Sequence, residues 1–191
     1  MDKKKLERKI LREKYKGLSR SYKDLASAEI ARAIFSMRWY EEAKTIFCYM
    51  STESEVGTEK IIDGAAKDGK KICIPKCLGN GIMESRLYLY KDEIYPLEIG
   101  TWGIREPLAE SPLVEPEEID LAIIPCLTCD KEGNRLGQGA GYYDRFFSNE
   151  KGLKASKVCI CFSQIMADYV YTDKHDVKMN AVVTEENTYY E

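Results

Sequence analysis

The residues best suited to chemistry lie in one short stretch, GNRLGQGAGYYDRFF, which covers positions 133–147. Its three alternating glycines are Gly137, Gly139 and Gly141. Because glycine has no Cβ, backbone N–H groups there can approach a ligand closely, and the helix predicted to follow adds free N–H groups. Arg135 can grip phosphate oxygens with its forked guanidinium, and Asp144 can hold a cation beside them. The stretch therefore predicts a phosphate-binding loop with a Mg²⁺ ligand.

Two common nucleotide-binding templates do not fit this stretch, so a second interpretation stays open. A dinucleotide fingerprint needs a glycine at Tyr142, and a P-loop needs Gly-Lys followed by Ser or Thr, which the chain lacks. A flexible turn whose two tyrosines pack in the core fits the composition equally well. On these residues alone, the loop is either a ligand cradle or an ordinary turn.

The seven cysteines give no second site of comparable strength. Their number is odd and no export signal precedes them, which argues against a disulfide framework. Cys126 and Cys129 have CxxC spacing, but no second CxxC follows, and the single histidine, His175, is distant in sequence. We therefore interpret the pair as small buried core residues.

The elements that must position the loop alternate between strands and helices. The predicted helices cover residues 3–16, 19–37 (capped by Ser19 or Ser21), 59–69 and 141–152. The predicted strands cover 45–51, 70–76 (ended by Pro75), 85–91, 120–126, 157–163 and 180–186, and 100–107 is predicted as a loop. This alternation predicts an α/β fold, a single three-layer Rossmann-like domain over residues 1–191 with a mainly parallel sheet and helices on both faces. Ligands of such folds bind at the carboxyl ends of the strands, where the glycine-rich stretch is expected.

Composition narrows the classes of function. The 191 residues are 44% hydrophobic and 32% charged, with a formal net charge of −3. Nucleic-acid binding needs an excess of Lys and Arg, which this charge balance does not supply. No apolar run approaches the length of a membrane helix, and the basic start lacks the apolar segment of a signal peptide. We therefore expect a cytoplasmic protein with no nucleic-acid or membrane partner.

The loop and several other segments together resemble one known family. GNRLGQGAGYYD is similar to the signature of 5-formyltetrahydrofolate cyclo-ligases, also called methenyltetrahydrofolate synthetases, which reads near G-x-R-L-G-R-G-G-G-Y-Y-D. A basic N-terminal helix and four further segments match the family in the right order: YMSTESEVGTEKII, KICIPK, GTWGIREP and HDVKMNAVVTEE. The likeness spans nearly the whole chain, so the sequence is identified as a member of this family.

The resemblance implies an ATP- and Mg²⁺-dependent enzyme. Such an enzyme converts 5-formyltetrahydrofolate to 5,10-methenyltetrahydrofolate and releases ADP and phosphate, after the γ-phosphate of ATP has activated the formyl oxygen. Its partners are small molecules, and we expect a monomer.

The resemblance also assigns roles residue by residue. ATP is expected to contact Lys4, Arg8, Arg135, Leu136, Gly137, Gln138, Gly139, Ala140, Gly141, Tyr142 and Tyr143. The folate is expected to contact Met50, Glu55, Trp102, Gln138 and Tyr142. Asp144 and Asp176 are the implied Mg²⁺ ligands, and Arg135 and Tyr142 the implied catalytic residues. His175 is interpreted as a loop-shaping neighbour of Asp176, because the chemistry needs no strong base.

Without the resemblance, several of these residues have plainer interpretations. Lys4 and Arg8 would form a solvated basic face of a helix. Met50 and Trp102 would be core residues, and Glu55 a surface charge. Asp176 would be an ordinary loop or cap aspartate.

Three positions depart from the family pattern and keep alternatives open. Gln138 stands where arginine is usual, Ala140 where glycine or lysine is common, and Asn180 where aspartate is frequent. A charge-assisted hydrogen bond contributes about 1.5–3 kcal/mol, so we expect Gln138→Arg to raise turnover or tighten ATP binding. One alternative is a catalytically weak homologue that binds folate and nucleotide. The other is a sugar-phosphate isomerase or CoA-transferase-like enzyme, for which the sequence offers no recognisable catalytic glutamate or lysine.

Overall fold

Strands and helices alternate along most of the chain, as the sequence predicts. The computed structural model describes residues 3–91, 93–148 and 154–191. The helices are α1 (Lys3–Gly17), α2 (Arg20–Phe35), α3 (Arg38–Glu42), α4 (Glu59–Lys67) and α5 (Tyr142–Phe147). The strands are β1 (Thr45–Cys48), β2 (Lys71–Gly79), β3 (Ile82–Tyr90), β4 (Glu93–Ile94), β5 (Leu97–Ile99), β6 (Arg105–Pro107), β7 (Leu121–Ile124), β8 (Thr128–Cys129), β9 (Arg135–Leu136), β10 (Ser156–Ile160), β11 (Ala181–Val183) and β12 (Thr188–Tyr190).

A mixed sheet runs in the order β12-β11-β10-β7-β1-β2-β3-β4. The central strands, from β11 to β2, are parallel to one another, and antiparallel strands lie at both edges. β1 and β7 are buried along their whole length, and their sequences, TIFC and LAII, are almost continuously apolar. Such runs are typical of parallel strands covered on both faces. The predicted α/β fold with a mainly parallel sheet is therefore confirmed.

Helices cover both faces of this sheet. The β1–α4–β2 and β7–α5–β10 connections run in opposite directions along the sheet, so right-handed crossovers put α4 and α5 on opposite faces. Phe47 of β1 stacks on Phe146 of α5 with ring centroids 5.5 Å apart. On the α4 side, α2 packs so closely that a Cβ added to Gly64 would lie 2.4 Å from the ring of Phe35. The sheet is therefore the middle layer of three.

Asp120 ties the start of β7 to the start of β1. Its carboxylate accepts the backbone N–H groups of Lys44 and Thr45 at 2.9 and 3.0 Å and pairs with Lys154 at 2.9 Å. Burial alone raises the pKa of Asp120, but these partners outweigh it and hold the pKa below its ordinary value. The carboxylate therefore stabilises the fold above the unfolded pKa of about 4, and this contribution is lost as the pH falls through the folded pKa.

The prediction that Pro75 ends the second strand was wrong. β2 continues to Gly79 and pairs with β3 along its length. Pairing with β1 stops at Cys73, so Pro75 lies where β2 has a sheet neighbour on one side, and its missing N–H is tolerated there. Asn80 and Gly81 connect β2 to β3, both with positive φ as a type I′ turn requires, and the Asn-Gly pair is the sequence signal that could have predicted this hairpin.

The remaining differences lie at the ends of elements and in short strands that the sequence did not predict, such as β6 and β12. Ser19 caps α2 as predicted, but α2 ends at Phe35 and the short α3 follows. The predicted loop 100–107 contains a 3₁₀ turn and β6, which pairs with β5. α5 confirms the start of the predicted helix 141–152, whose last residues, 149–152, lie outside the described chain. Among the described helices, none combines the length and apolar character needed to cross a membrane.

Candidate active site

Residues 137–141, here called the glycine loop, follow β9 and lead into α5. β9 pairs with β8, and this hairpin follows β7 directly, so the loop lies beyond the carboxyl end of a central strand. The buried carboxylate of Asp130 secures the hairpin by accepting the N–H groups of Asn134 at 3.0 Å and Val170 at 2.9 Å. The predicted position of the loop, between a buried strand and a helix, is confirmed.

Three guanidinium groups lie so close to the loop glycines that a Cβ added there would crowd them. The pairs are Gly137 with Arg135, Gly139 with Arg8, and Gly141 with Arg145, and an added Cβ would lie 3.2, 3.0 and 3.1 Å from the nearest guanidinium atom. Gly139 and Gly141 also have φ angles of 104° and 69°, which disfavour other residues. The glycines therefore allow positive charge from three separate segments to converge on one loop.

Hydrogen bonds hold two of these arginines to the loop backbone. Arg8 on α1 donates from Nε to the carbonyl oxygen of Gly137 at 2.9 Å. Arg145 on α5 donates to the carbonyl oxygen of Ala140 and, from Nε, to that of Gly81 at 2.8 Å. The structure thus brings the predicted Arg8 to the loop and adds Arg145, which the sequence interpretation missed.

Arg135 lies underneath the loop, with only 4% of its side chain exposed. Its Nη2 pairs with Oδ1 of Asp144 at 2.6 Å, and its guanidinium lies 5.8 Å from the ring centroid of Tyr143. Its Nε is buried and has no hydrogen-bond partner within the described chain. An unpaired buried donor is costly and marks a place where a ligand atom could bind.

Gln138, which departs from the family pattern, has a cation beside it. Arg12 of α1 donates from Nη2 to Oε1 of Gln138 at 2.9 Å. Lys4, Arg8 and Arg12 are spaced four residues apart, so they lie on one side of α1. Arg12 therefore supplies a guanidinium next to the position where the family usually has its own arginine.

The two predicted metal ligands lie on segments that touch. Oδ1 of Asp144 accepts the N–H of Val177, the residue after Asp176, at 3.1 Å. Oδ2 of Asp176 pairs with Nζ of Lys4 at 2.6 Å and accepts the N–H of Asp173 at 2.7 Å. Burial lowers the pKa of Lys4, but its two carboxylate partners outweigh burial and raise it, so the ammonium stays charged. Within the described residues, the second oxygen of Asp144 and of Asp176 accepts no hydrogen bond.

Most of the predicted folate contacts lie on the loop after β1 and at the start of α5. Met50 is buried just beyond β1, and Oε2 of Glu55 accepts the N–H of Thr52 at 2.9 Å. Tyr142 is half-buried against the core, while burial and the nearby Glu55 carboxylate raise the pKa of Tyr143. The Tyr143 ring therefore lies beside Arg135 and within the electrostatic influence of Glu55.

Trp102 and Leu136 are placed differently from the other predicted contacts. Trp102 is 76% exposed on the 3₁₀ turn after β5, so its ring is largely in solvent. Leu136 is buried in β9 and belongs to the core, which leaves its backbone as the part available to a ligand.

Comparison with known proteins decides the family. A family model described as the 5-formyltetrahydrofolate cyclo-ligase family matches residues 1–185. The chain belongs to the 5-formyltetrahydrofolate cyclo-ligase family. It is 35% identical over 176 residues to a probable 5-formyltetrahydrofolate cyclo-ligase of Schizosaccharomyces pombe, with 85% of each chain covered.

Solved structures agree with this family. The chain is 30% identical to 5,10-methenyltetrahydrofolate synthetase of Aquifex aeolicus, with a TM-score of 0.81 over 98% of this chain and 92% of that one. The corresponding enzyme of Mycoplasma pneumoniae is 22% identical and shares the fold, with a TM-score of 0.76. The predicted family, its fold and its class, ligase, are therefore confirmed, while the roles of individual residues stay predictions.

The structure also places His175 and Asn180 of this cyclo-ligase family member. His175 is exposed beside Asp176, in the turn where the N–H of Asp176 donates to the carbonyl oxygen of Asp173 at 3.0 Å. The side-chain oxygen of Asn180 accepts the backbone N–H of Lys157 at 2.9 Å, and the backbone N–H of Asn180 donates to the carbonyl oxygen of Lys157 at 2.8 Å. These two bonds tie the start of β11 to β10. The departure at position 180 therefore lies in a contact that holds the sheet together.

Proposed function

We propose that this cyclo-ligase converts 5-formyltetrahydrofolate to 5,10-methenyltetrahydrofolate at the expense of ATP. The formyl oxygen attacks the γ-phosphorus of ATP, and ADP leaves. Nitrogen 10 of the folate then attacks the activated formyl carbon, the ring closes, and the former formyl oxygen leaves as phosphate, which takes up the proton of nitrogen 10. No strong base is needed, so the protein acts mainly by positioning and by neutralising charge.

The arginines around the glycine loop carry this proposal. Arg8, Arg135 and Arg145 converge on the glycine loop, and Arg12 adds a fourth guanidinium beside Gln138. The buried Nε of Arg135 lacks a partner, and a phosphate oxygen is an acceptor that would satisfy it. In this proposal Arg135 binds the transferred phosphoryl group, and Tyr142 lies at the start of α5 beside it.

Mg²⁺ fits the two aspartates. Asp144 and Asp176 lie on touching segments, and each keeps one carboxylate oxygen that accepts no bond from the described residues. Carboxylate oxygens are the ligands that Mg²⁺ prefers, with substrate phosphates completing its shell. When bound there, the ion would neutralise charge on the phosphates, while Lys4 and Arg135 keep the two carboxylates in place.

The folate is proposed to bind on the Glu55 side of Tyr143. Glu55 is oriented by bonds from both the N–H and the hydroxyl of Thr52, at 2.9 and 2.8 Å, and its carboxylate can accept ring N–H groups of the pterin. Met50 and Tyr142 are proposed to supply the apolar contacts of this site. Trp102, exposed on its turn, would form an outer wall against the ligand.

The test is a direct assay with a matched variant. Purified protein with ATP, Mg²⁺ and 5-formyltetrahydrofolate should produce methenyltetrahydrofolate, seen by its near-ultraviolet absorbance, and an equal amount of ADP. Asp144→Asn should lose most of this activity, while Asp63→Asn, an exposed change on α4, should not. Binding of ATP and folate without product or ADP would overturn the proposal and favour the catalytically weak homologue.

Three further expectations belong to the same proposal. The chain is expected to act as a single domain over residues 1–191, as a monomer, and in the cytoplasm. Size-exclusion chromatography with light scattering and fractionation of the source cells would test the last two.

A further inference from the structure

Four cysteine side chains meet beside the hairpin that carries the glycine loop. The sulfur atoms of Cys126, Cys129 and Cys159 all lie within 4.8 Å of one another. Cys161 lies directly after β10, two residues beyond Cys159, and its thiol interacts with those of Cys126 and Cys129. All of these cysteines are buried. In sequence, Cys126 and Cys129 form a C-x-x-C motif, and Cys159 and Cys161 form a later C-x-C motif. A search for a second C-x-x-C motif therefore does not find the second pair.

The fold explains why these residues converge. Cys126 follows β7 and Cys129 ends β8, while Cys159 lies on β10 and Cys161 directly after it. β10 pairs with β7, with Cys159 opposite Ile124. Residues two apart on a strand point to the same face, so Cys159 and Cys161 both face the CxxC segment.

The spacing of the sulfur atoms is close to that of a tetrahedral zinc site. Zinc–thiolate bonds of about 2.3 Å place the sulfur atoms about 3.8 Å apart in a tetrahedron. Three sulfur atoms that already lie within 4.8 Å of one another can reach this spacing by small side-chain rotations. Thiolates are soft ligands, and a set of four of them selects zinc over Mg²⁺ or Ca²⁺.

The surroundings also suit a negatively charged cluster. The backbone of Cys129 and the positive charge of Arg135 favour the thiolate forms of Cys161 and Cys159 and lower the pKa of each. Tyr15 of α1 donates its hydroxyl to the carbonyl oxygen of Cys126 at 3.4 Å. A zinc ion with four thiolates has a net charge of −2, which such donors and an adjacent cation partly offset.

We propose that these four cysteines form a closed structural zinc site: Cys126, Cys129, Cys159 and Cys161. Each thiol releases its proton to solvent as its bond to zinc forms, and no position on the metal remains for water or substrate. The ion would fix the carboxyl ends of β7 and β10 to each other and, through the β8–β9 hairpin, the position of Arg135. This site is separate from the Mg²⁺ ligands and does not depend on the proposed reaction.

The other buried cysteines provide a control within the same chain. The thiols of Cys48 and Cys73 donate to backbone carbonyl oxygens, each at 3.6 Å. Neither belongs to the group of three sulfur atoms. Cys73→Ser therefore removes a buried thiol without touching the proposed site.

The experiment measures metal content without ATP or folate. Full-length protein is purified under reducing conditions, supplied with Zn²⁺, passed over a desalting column with a weak chelator, and analysed by plasma mass spectrometry. We expect about one zinc per chain in the wild type and in Cys73→Ser, and less than about 0.2 in a Cys129→Ser, Cys159→Ser double variant. Cobalt in place of zinc should give the near-ultraviolet charge-transfer band of cobalt–thiolate bonds in the wild type.

Several results would overturn the proposal. Wild-type protein that retains no zinc after this treatment would do so, as would a double variant that folds and keeps a full equivalent. A Cys126–Cys129 disulfide in protein purified without reductant, with no zinc bound, would also do so. If the double variant does not fold, the wild-type cobalt spectrum decides, because bound cobalt without the thiolate band places the metal elsewhere. Because the readout is metal content, failure of the cyclo-ligase assay leaves this test unaffected.

Discussion

Replacement of Arg135 by lysine tests the centre of the candidate active site. The change keeps the positive charge that pairs with Asp144, but it removes the forked guanidinium and with it the unpaired Nε. If Arg135 only holds Asp144 in place, lysine should replace it well. If it also binds the transferred phosphoryl group, the loss should appear in catalysis.

The size of the effect follows from the burial of the side chain. Only 4% of it is exposed, so solvent screens its interactions little. A hydrogen bond to a charged group is worth about 1.5–3 kcal/mol, which corresponds to a fall of about 10- to 150-fold in kcat/KM for ATP. The free energy of unfolding should fall by about 1 kcal/mol or less, because the ion pair with Asp144 can re-form.

The assay combines steady-state kinetics with urea unfolding, and Arg86→Lys is the matched control. Arg86 is also largely buried, pairs with Glu84 at 2.5 Å and donates to the carbonyl oxygen of Ser111 at 2.7 Å, but it lies on β3, outside the loop. We expect this control to change stability without changing kcat/KM. Activity of Arg135→Lys within threefold of the wild type would refute the phosphoryl-binding role.

The remaining predictions concern charge, pH and packing. Because Arg12 already lies beside Gln138, we now expect Gln138→Arg to change kcat/KM for ATP by less than about threefold and Arg12→Gln to raise the KM for ATP about 3- to 10-fold. A large gain in kcat/KM from Gln138→Arg would show that Arg12 does not supply the missing charge. Asp120→Asn should lower the free energy of unfolding at pH 7 by about 1 kcal/mol and should flatten the decline of that free energy between about pH 5 and 3. An unchanged decline would contradict the lowered pKa of Asp120. Gly64→Ala should lower the free energy of unfolding, measured in urea, by about 1–3 kcal/mol, because the added Cβ meets the ring of Phe35 on α2. Gly17→Ala, with open space around the added Cβ, should lower it little, and equal losses would argue against the clash.

The parts of the fold that follow from local patterns were predictable from the sequence. β1, β7 and β10 are short apolar runs between polar residues, and Ser19 marks the start of α2. The end of β2 was not predictable in this way, because tolerance of Pro75 depends on how far β1 extends beside it. β12 was missed because three residues at a sheet edge are too few to show a period.

The candidate site also contains residues that were predictable from the sequence and residues that were not. The glycine loop was predictable because its glycines, arginine and aspartate are contiguous in the chain. Arg145 and Arg12 were missed because their roles depend on which faces of α5 and α1 meet the loop. The cysteine cluster was missed for a related reason, since strand pairing rather than sequence spacing brings Cys159 to Cys126.

The attachment of α1 has a consequence for how the enzyme exchanges its ligands. Arg8 contributes to the glycine loop, and Tyr15 anchors the same helix against Phe162, with ring centroids 6.1 Å apart. One wall of the proposed nucleotide site is thus a helix that takes no part in the strand pairing of the sheet and is tied to the core through Leu11 and Tyr15. Nucleotide binding and helix detachment must then oppose each other, and ATP at 100 times its Kd would add about 2.7 kcal/mol to the cost of detachment. Amide hydrogen exchange along α1 would therefore report occupancy of the proposed site, and a bulky fusion at that end of the chain would weaken ATP binding while leaving the strand pairing of the sheet intact.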